Sequence, residues 1–263
     1  MKSYWKEILE EPLKGRYHKP RDTGVTMIFD KGMGLAETKD LLNLAVDYID
    51  FIKLGFGTSA LYSERILESK IEIARSENVH IYPGGTFLEI ALMQDKLKDY
   101  LQLCRKLGFS AIEVSDGTIN LKEDNREDAI KRAVDEGFIV LSEVGKKHPE
   151  DKVEVKKFCN QISKDLEDGA HKVIVEGRES GKGVGIYNDK GEVKGDELTV
   201  LESNIEDIGD ILWEAPLKQQ QKELILRFGP NVNIGNVPPA ETLALEALRV
   251  GLRGDTLRSC YLS

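Results

Sequence analysis

The chain is poor in the residues that carry several common chemistries. Its 263 residues include three cysteines, four histidines and two tryptophans, and aromatic residues make up only 7%. Cys104, Cys159 and Cys260 are odd in number, far apart and form no CxxC pair. That excludes a disulfide framework or structural zinc site and fits a reducing cytosol. His18, His80, His148 and His171 reach no HExxH or paired-ligand spacing, so zinc hydrolysis is not expected. There is no GxSxG elbow, no GxxxxGK[ST] loop and no GxGxxG after the first candidate strand. These absences remove the α/β-hydrolase, P-loop and dinucleotide fingerprints. Basic charge is also in deficit, with 46 Asp plus Glu against 37 Lys plus Arg. A broad nucleic-acid footprint is therefore not expected, although a small anionic substrate needs only a few local cations. No apolar run approaches the ~20 residues that cross a bilayer. The charged start MKSYWKEILEEPLKGRYHKP has no apolar signal core, so a cytoplasmic protein without a membrane partner is expected.

What is present is a core-forming composition, 40% hydrophobic and 32% charged. The length is near the ~250 residues of one α/β barrel. Eight β-type runs recur: Val25–Asp30, Ile49–Leu54, His80–Pro83, Ala111–Ser115, Phe138–Glu143, Lys172–Glu176, Asp210–Glu214 and Val232–Ile234. Between them, apolar spacing predicts helices over Ala36–Val46, Ser63–Glu77, Thr86–Leu107, Asn125–Glu136, Lys152–Asp168, Leu217–Phe228 and Pro239–Leu248. Eight such repeats without a composition break predict a single-domain (β/α)8 TIM barrel over residues 1–263, ahead of a doubly wound open sheet. The segment 178–201, rich in glycine and charge, predicts an extended loop. It reads as a hairpin turning at Asn188–Gly191 or as a mobile lid.

In such a barrel, reactive groups gather at the carboxyl ends of the strands. Nearly every candidate strand here delivers a charged or amide side chain to that end, which structural need alone does not demand. Lys31, Lys53, Lys146 and Arg178, with Gly84 and Gly85, read as an anion site, since glycine lets backbone N–H groups approach an anion closely. Thr86 is placed to cap the helix after them. Ser115, Asn233 and Asn236 add polar groups at strands four and eight. Asp116, Glu143 and Glu176 offer oxygen donors without nearby His or Cys, a set suited to Mg²⁺. The plain alternative is a mouth plugged by ion pairs such as Lys53 with Glu113. A strand-end lysine such as Lys146 serves either Schiff-base or proton-transfer chemistry, and the residues alone leave both open.

Several long segments are similar to a known family. KPRDTGVTMIFDKGMG (Lys19–Gly34), DYIDFIKLGFGTSALY (Asp47–Tyr62), IYPGGTFLEIA (Ile81–Ala91), GFSAIEVSDGTINL (Gly108–Leu121) and GFIVLSEVGKK (Gly137–Lys147) resemble the phosphosulfolactate synthases, the sulfite-adding enzymes of coenzyme M biosynthesis. VIVEGRESG (Val173–Gly181) and EALRVGLRGDT (Glu246–Thr256) extend the resemblance over nearly the whole chain. The resemblance implies a Mg²⁺-dependent barrel that adds sulfite to C3 of phosphoenolpyruvate, giving (2R)-phospho-3-sulfolactate. It implies Lys146 as the proton donor to C2, and Lys53 and Arg178 on phosphate or sulfite. Lys31, Gly84, Gly85, Thr86, Ser115 and Asn236 are expected around the substrates, and Asp116, Glu143 and Glu176 on the metal. A homo-oligomer is also implied. A non-catalytic, heat-stress-related member of the same barrel family is a reading from a different class, and another phosphoenolpyruvate or phosphosugar lyase is a third.

Overall fold

The computed structural model describes residues 4–146 and 155–262. Strands and helices alternate: β1 (Thr26–Asp30), α1 (Leu35–Ala45), β2 (Phe51–Leu54), α2 (Glu64–Ser76), β3 (His80–Pro83), α3 (Gly85–Met93), α4 (Leu97–Leu107), β4 (Ala111–Val114), α5 (Glu123–Asp135), β5 (Ile139–Val144), α6 (Val155–Glu167), β6 (Lys172–Val175), α7 (Gly195–Asn204), β7 (Ile211–Glu214), α8 (Lys218–Phe228), β8 (Asn233–Val237), α9 (Thr242–Arg249) and α10 (Gly254–Leu262). The strands pair in parallel in the order β3-β2-β1-β8-β7-β6-β5-β4. Ser110 bridges the remaining seam. Its N–H donates to the Ile81 carbonyl at 3.2 Å and its Oγ accepts from the Ile81 N–H at 3.2 Å. The chain is the expected (β/α)8 barrel.

Successive strand side chains point to opposite faces. Ile28, Ile52, Ile81, Ile112, Val140, Val173, Ile211 and Ile234 belong to the large core under the helices. Met27, Phe51, Tyr82, Ala111, Leu141, Ile174 and Leu212 form a separate buried cluster inside the barrel. One inward position further along fall Lys53, Glu113, Glu143, Glu176 and Glu214. The charged mouth is thus the next layer above an apolar interior.

Three local expectations change. Thr86–Leu107 is two helices, because Asp95 turns left-handed (φ 54°) and the Lys96 N–H donates back to the Ala91 carbonyl at 2.8 Å. Aspartate tolerates that conformation, and apolar residues at helical spacing on both pieces hide the break. The segment 178–201 follows its hairpin reading, with its end drawn into a helix. It turns at Asn188, whose Oδ1 accepts from the Lys190 and Glu192 N–H groups, with one antiparallel bridge between Tyr187 and Val193. Val184, Ile186 and Tyr187 are buried, and Gln220 of α8 donates to the carbonyls of Gly181 and Gly191. Its last seven residues are already in α7. Helix α10 was not expected, since its repeat follows no further strand. The first residues of the helix expected at Lys152–Asp168, and Lys147 of SEVGKK, lie outside the described residues.

Candidate active site at the carboxyl end of the barrel

The centre of the mouth is Lys53 on β2. Its Nζ lies 2.9 Å from Glu113 Oε2 of β4, 3.0 Å from Glu214 Oε1 of β7 and 3.3 Å from Glu143 Oε2 of β5. All four side chains are buried. Burial by itself would lower the lysine pKa, but the carboxylates of Glu113, Glu214 and Glu143 hold it well above the usual lysine value. Lys53 is therefore a fixed cation. Glu176 of the β6 end completes the ring: oxygens of Glu143, Glu176 and Glu214 lie within 4.8 Å of one another. These three could hold a metal ion. A cavity of about 230 Å³ opens above them, walled also by Phe29, Phe56, Thr86, Arg178 and Asn236.

The metal set expected from the sequence is not assembled. Asp116 is beyond the end of β4, where its Oδ2 accepts from Lys146 Nζ at 3.0 Å and its Oδ1 from Arg126 Nη1 at 3.2 Å. Glu214 joins Glu143 and Glu176 instead. Arg126 is itself locked onto Asp165, at 2.8 and 2.5 Å, and donates to the Glu143 carbonyl at 2.8 Å. Lys146 stands at the rim outside the cavity wall, donating to the carbonyls of Asp116 (2.6 Å) and Ile119 (3.2 Å) as well.

The expected glycine cradle for an anion is likewise filled from within. The Gly84 N–H donates to the Leu54 carbonyl, and the Gly85 N–H to Glu113 Oε1 at 2.7 Å. Gly85 must be glycine for a different reason, because a Cβ there would lie 2.6 Å from that carboxylate and 2.5 Å from Ser115 Oγ. Ser115 faces away from the cavity and donates to Glu89 Oε1 at 2.6 Å. Lys31 reaches across the mouth to Glu179 at 2.7 Å. Arg178, Thr86 and Asn236 do line the cavity.

Comparison with known proteins agrees with this architecture. The family model for "(2R)-phospho-3-sulfolactate synthase (ComA)" matches residues 14–255. A phosphosulfolactate synthase of Methanothermobacter thermautotrophicus is 46% identical over 253 residues, covering 95% of this chain and 96% of that protein. The chain belongs to the phosphosulfolactate synthase family. A Bacillus subtilis phosphosulfolactate synthase is 40% identical over 250 residues, covering 94% of this chain and 97% of its own. The HEAT-STRESS-ASSOCIATED 32 protein of Arabidopsis thaliana is 25% identical over 125 residues, covering 46% of this chain and 43% of that one. Among solved structures, a 3-hexulose-6-phosphate synthase from Salmonella typhimurium superposes with a TM-score of 0.57 at 16% identity, covering 87% of this chain and all of the other. That likeness is one of fold.

As a member of the phosphosulfolactate synthase family the chain is an enzyme of the lyase type. Sequence reading underrated Glu113 and Glu214 and overlooked Phe29 and Phe56. A signal for the glutamates existed. Glu113, Glu143, Glu176 and Glu214 each follow an inward apolar residue by two positions: Ala111, Leu141, Ile174 and Leu212. Asp116 is three beyond Glu113 and so falls out of that register. No comparable signal marks the two phenylalanines.

Proposed function

We propose that the protein adds sulfite to phosphoenolpyruvate, forming (2R)-phospho-3-sulfolactate, with Mg²⁺ as cofactor. The observation that carries this reading is the trio Glu143, Glu176 and Glu214 beside Lys53 in the mouth cavity, in a chain whose relatives are named for that product. Four buried carboxylates against one buried ammonium leave the mouth net negative. Two anionic reactants would be repelled from it. A donor set made only of oxygen suits a hard divalent cation, so the site fits Mg²⁺, held by Glu143, Glu176 and Glu214. Bound there, Mg²⁺ would supply positive charge against the carboxylate of phosphoenolpyruvate as negative charge builds on it.

The chain's own residues carry the remaining work. The sulfur lone pair of sulfite forms the bond to C3. The C2=C3 π pair moves onto C2 and its carboxylate, and C2 then takes one proton. No phosphate bond breaks, and no external oxidant or reductant enters. Lys53, held charged by its glutamates, steadies the negative charge. A lysine whose proton is held that firmly is a poor acid. Proton delivery is therefore assigned to Lys146 at the rim, which must leave the oxygens of Asp116 and Ile119 to reach C2. Approach from that one side fixes the hand of the product. Arg178, Thr86 and Asn236 offer donors to phosphate and sulfite oxygens.

Exposed Trp5, Ile8, Leu9 and Leu252 near the amino terminus and α9 support self-association into a homo-oligomer. No helix among the described residues is long and apolar enough to cross a membrane, and the scarcity of cysteine supports a cytoplasmic setting. The test is phosphorus NMR of the protein with phosphoenolpyruvate, sulfite and Mg²⁺. The vinyl phosphate signal should give way to that of an alkyl phosphate ester, and EDTA should stop the change. No conversion by folded, metal-replete protein would favour a non-catalytic member of the barrel family.

A further inference from the structure

Among the described residues, Phe29 and Phe56 are the only apolar side chains lining the mouth cavity; the rest of its described wall is charged, polar or glycine. Phe56 adopts a left-handed backbone (φ 54°, ψ 26°). Among the described residues five non-glycines have positive φ: Phe56, Asn78, Asp95, Arg178 and Asn236. Asn78 and Asp95 follow helix ends and are residue types that tolerate this conformation. The other three all line the cavity. A bulky aromatic residue is the least suited of them to that backbone, where glycine would be relaxed.

The fold gains little from the ring in return, since Phe56 is 63% exposed. Strain retained at such a position points to use of the side chain. The ring stands edge-on against Phe29, with centroids 5.2 Å apart and planes at 77°. Room for Phe29 comes from Gly55, where a Cβ would fall 2.2 Å from the Phe29 ring. The stretch Gly55-Phe56-Gly57 thus builds a two-ring apolar wall beside Lys53 and the glutamates.

Phosphoenolpyruvate has one apolar edge, the methylene at C3; its other two substituents are anions. We infer that Phe56, backed by Phe29, is the specificity-determining residue that packs against this methylene. It admits an unsubstituted CH₂ and excludes enol phosphates carrying an alkyl group at C3. This rests on the reaction proposed above.

The test compares kcat/KM for phosphoenolpyruvate and for its 3-methyl analogue, (Z)-2-phosphooxybut-2-enoate, each with sulfite and Mg²⁺, in the unaltered protein, F56G and F56L. The unaltered protein should favour phosphoenolpyruvate, and F56G should lower that preference by about tenfold or more, the scale of one methylene in an apolar pocket. F56L should fall between. The melting temperature of F56G should hold or rise, because glycine relaxes the left-handed backbone. An unchanged preference in F56G, or equal loss for both substrates with a lowered melting temperature, would overturn the wall while the reaction stands. An unaltered protein that takes both substrates equally would overturn it too. No turnover of phosphoenolpyruvate with sulfite in the unaltered protein would overturn reaction and wall together.

Discussion

The two ends of the barrel both bury charge, and they do so differently. At the amino-terminal end most of the buried charges have partners of their own. Arg21 donates to Asp50 Oδ2 at 2.7 and 3.2 Å, and the Thr26 N–H donates to the same oxygen at 2.8 Å. Arg16 holds Glu246 through two bonds of 2.9 and 3.0 Å. Arg249 donates to the carbonyls of Pro230 and Val232 at 2.7 and 2.6 Å. Asn233 joins β8 to neighbouring backbone by accepting from the Val25 N–H and donating to the Gly209 and Ile211 carbonyls. At the carboxyl end, three glutamates share one lysine, a fourth stands beside them, and a cavity opens above. The left-handed backbones of Phe56, Arg178 and Asn236 are also at that end. Balanced pairs hold structure together. An excess of one sign, kept beneath an open cavity, costs stability and is retained for what it binds.

Removing the central cation should break this contrast most severely. K53M leaves the glutamates without their shared partner and should cost about 3–5 kcal/mol of stability, read from the urea midpoint, together with turnover. The pH dependence should also move from the alkaline range into the acid-to-neutral range. Glutamates buried without a cation have folded pKa values raised above the unfolded ones, so stability of K53M should rise as pH falls through that window. In the unaltered protein Lys53 holds its proton throughout neutral pH, and its contribution is lost only when pH rises past its raised folded value. R16M, at the other end, should lose about 2–4 kcal/mol by removing both hydrogen bonds to Glu246 and leaving it only the 4.0 Å contact with Arg249, and keep kcat/KM for phosphoenolpyruvate unchanged. An R16M protein with impaired catalysis would erase the division between the two ends.

K146A should abolish turnover while circular dichroism and the urea midpoint stay near those of the unaltered protein. Retained activity would remove Lys146 as the proton donor. The metal assignment is sharpened by E214Q against D116N. Calorimetric titration with Mg²⁺ should show E214Q weakened by about tenfold or more, about 1.4 kcal/mol, with D116N near the unaltered value. The reverse order would restore Asp116 to the metal set. The smallest effect concerns Lys19. Its ammonium is shut in at the amino-terminal end without a hydrogen-bond partner among the described residues, and burial lowers its pKa. The charged form is the costly one, so the penalty is present below the lowered folded value and fades as pH rises from that value to the unfolded one. K19M should raise the melting temperature by about 2–4 °C, roughly 1 kcal/mol in a chain of this length, with the gain shrinking in alkali.

Much of the architecture is legible in the chain because it depends on local period. Strands such as VTMIFD and AIEVS declare themselves by their β-branched and apolar residues, and eight repeats with intervening helical stripes call for closure. Lys53, Glu143, Glu176, Arg178, Thr86 and Asn236 could all be placed at the mouth from strand ends alone. Position near a strand end alone does not separate Asp116 from Glu113; the alternation along β4 from inward Ala111 does, and it favours Glu113. Lys31, Ser115 and Gly85 were credited to the substrates on residue type. The folded chain gives them Glu179, Glu89 and Glu113 as partners, from a loop, a helix and a strand between 26 and 148 residues away.

The order of residues along the chain is enough for the number of strands, the parity that puts Glu113, Glu143, Glu176 and Glu214 on one face, and the family. All of these follow from alternation along single strands or from long ordered motifs. Folding settles which carboxylates share Lys53, which three come within reach of one metal ion, and that Phe56 stands in a left-handed turn beside them. Those outcomes depend on the register between strands from opposite sides of the barrel and on distances of a few ångströms. Barrel closure sets both, and no local stretch of chain encodes either.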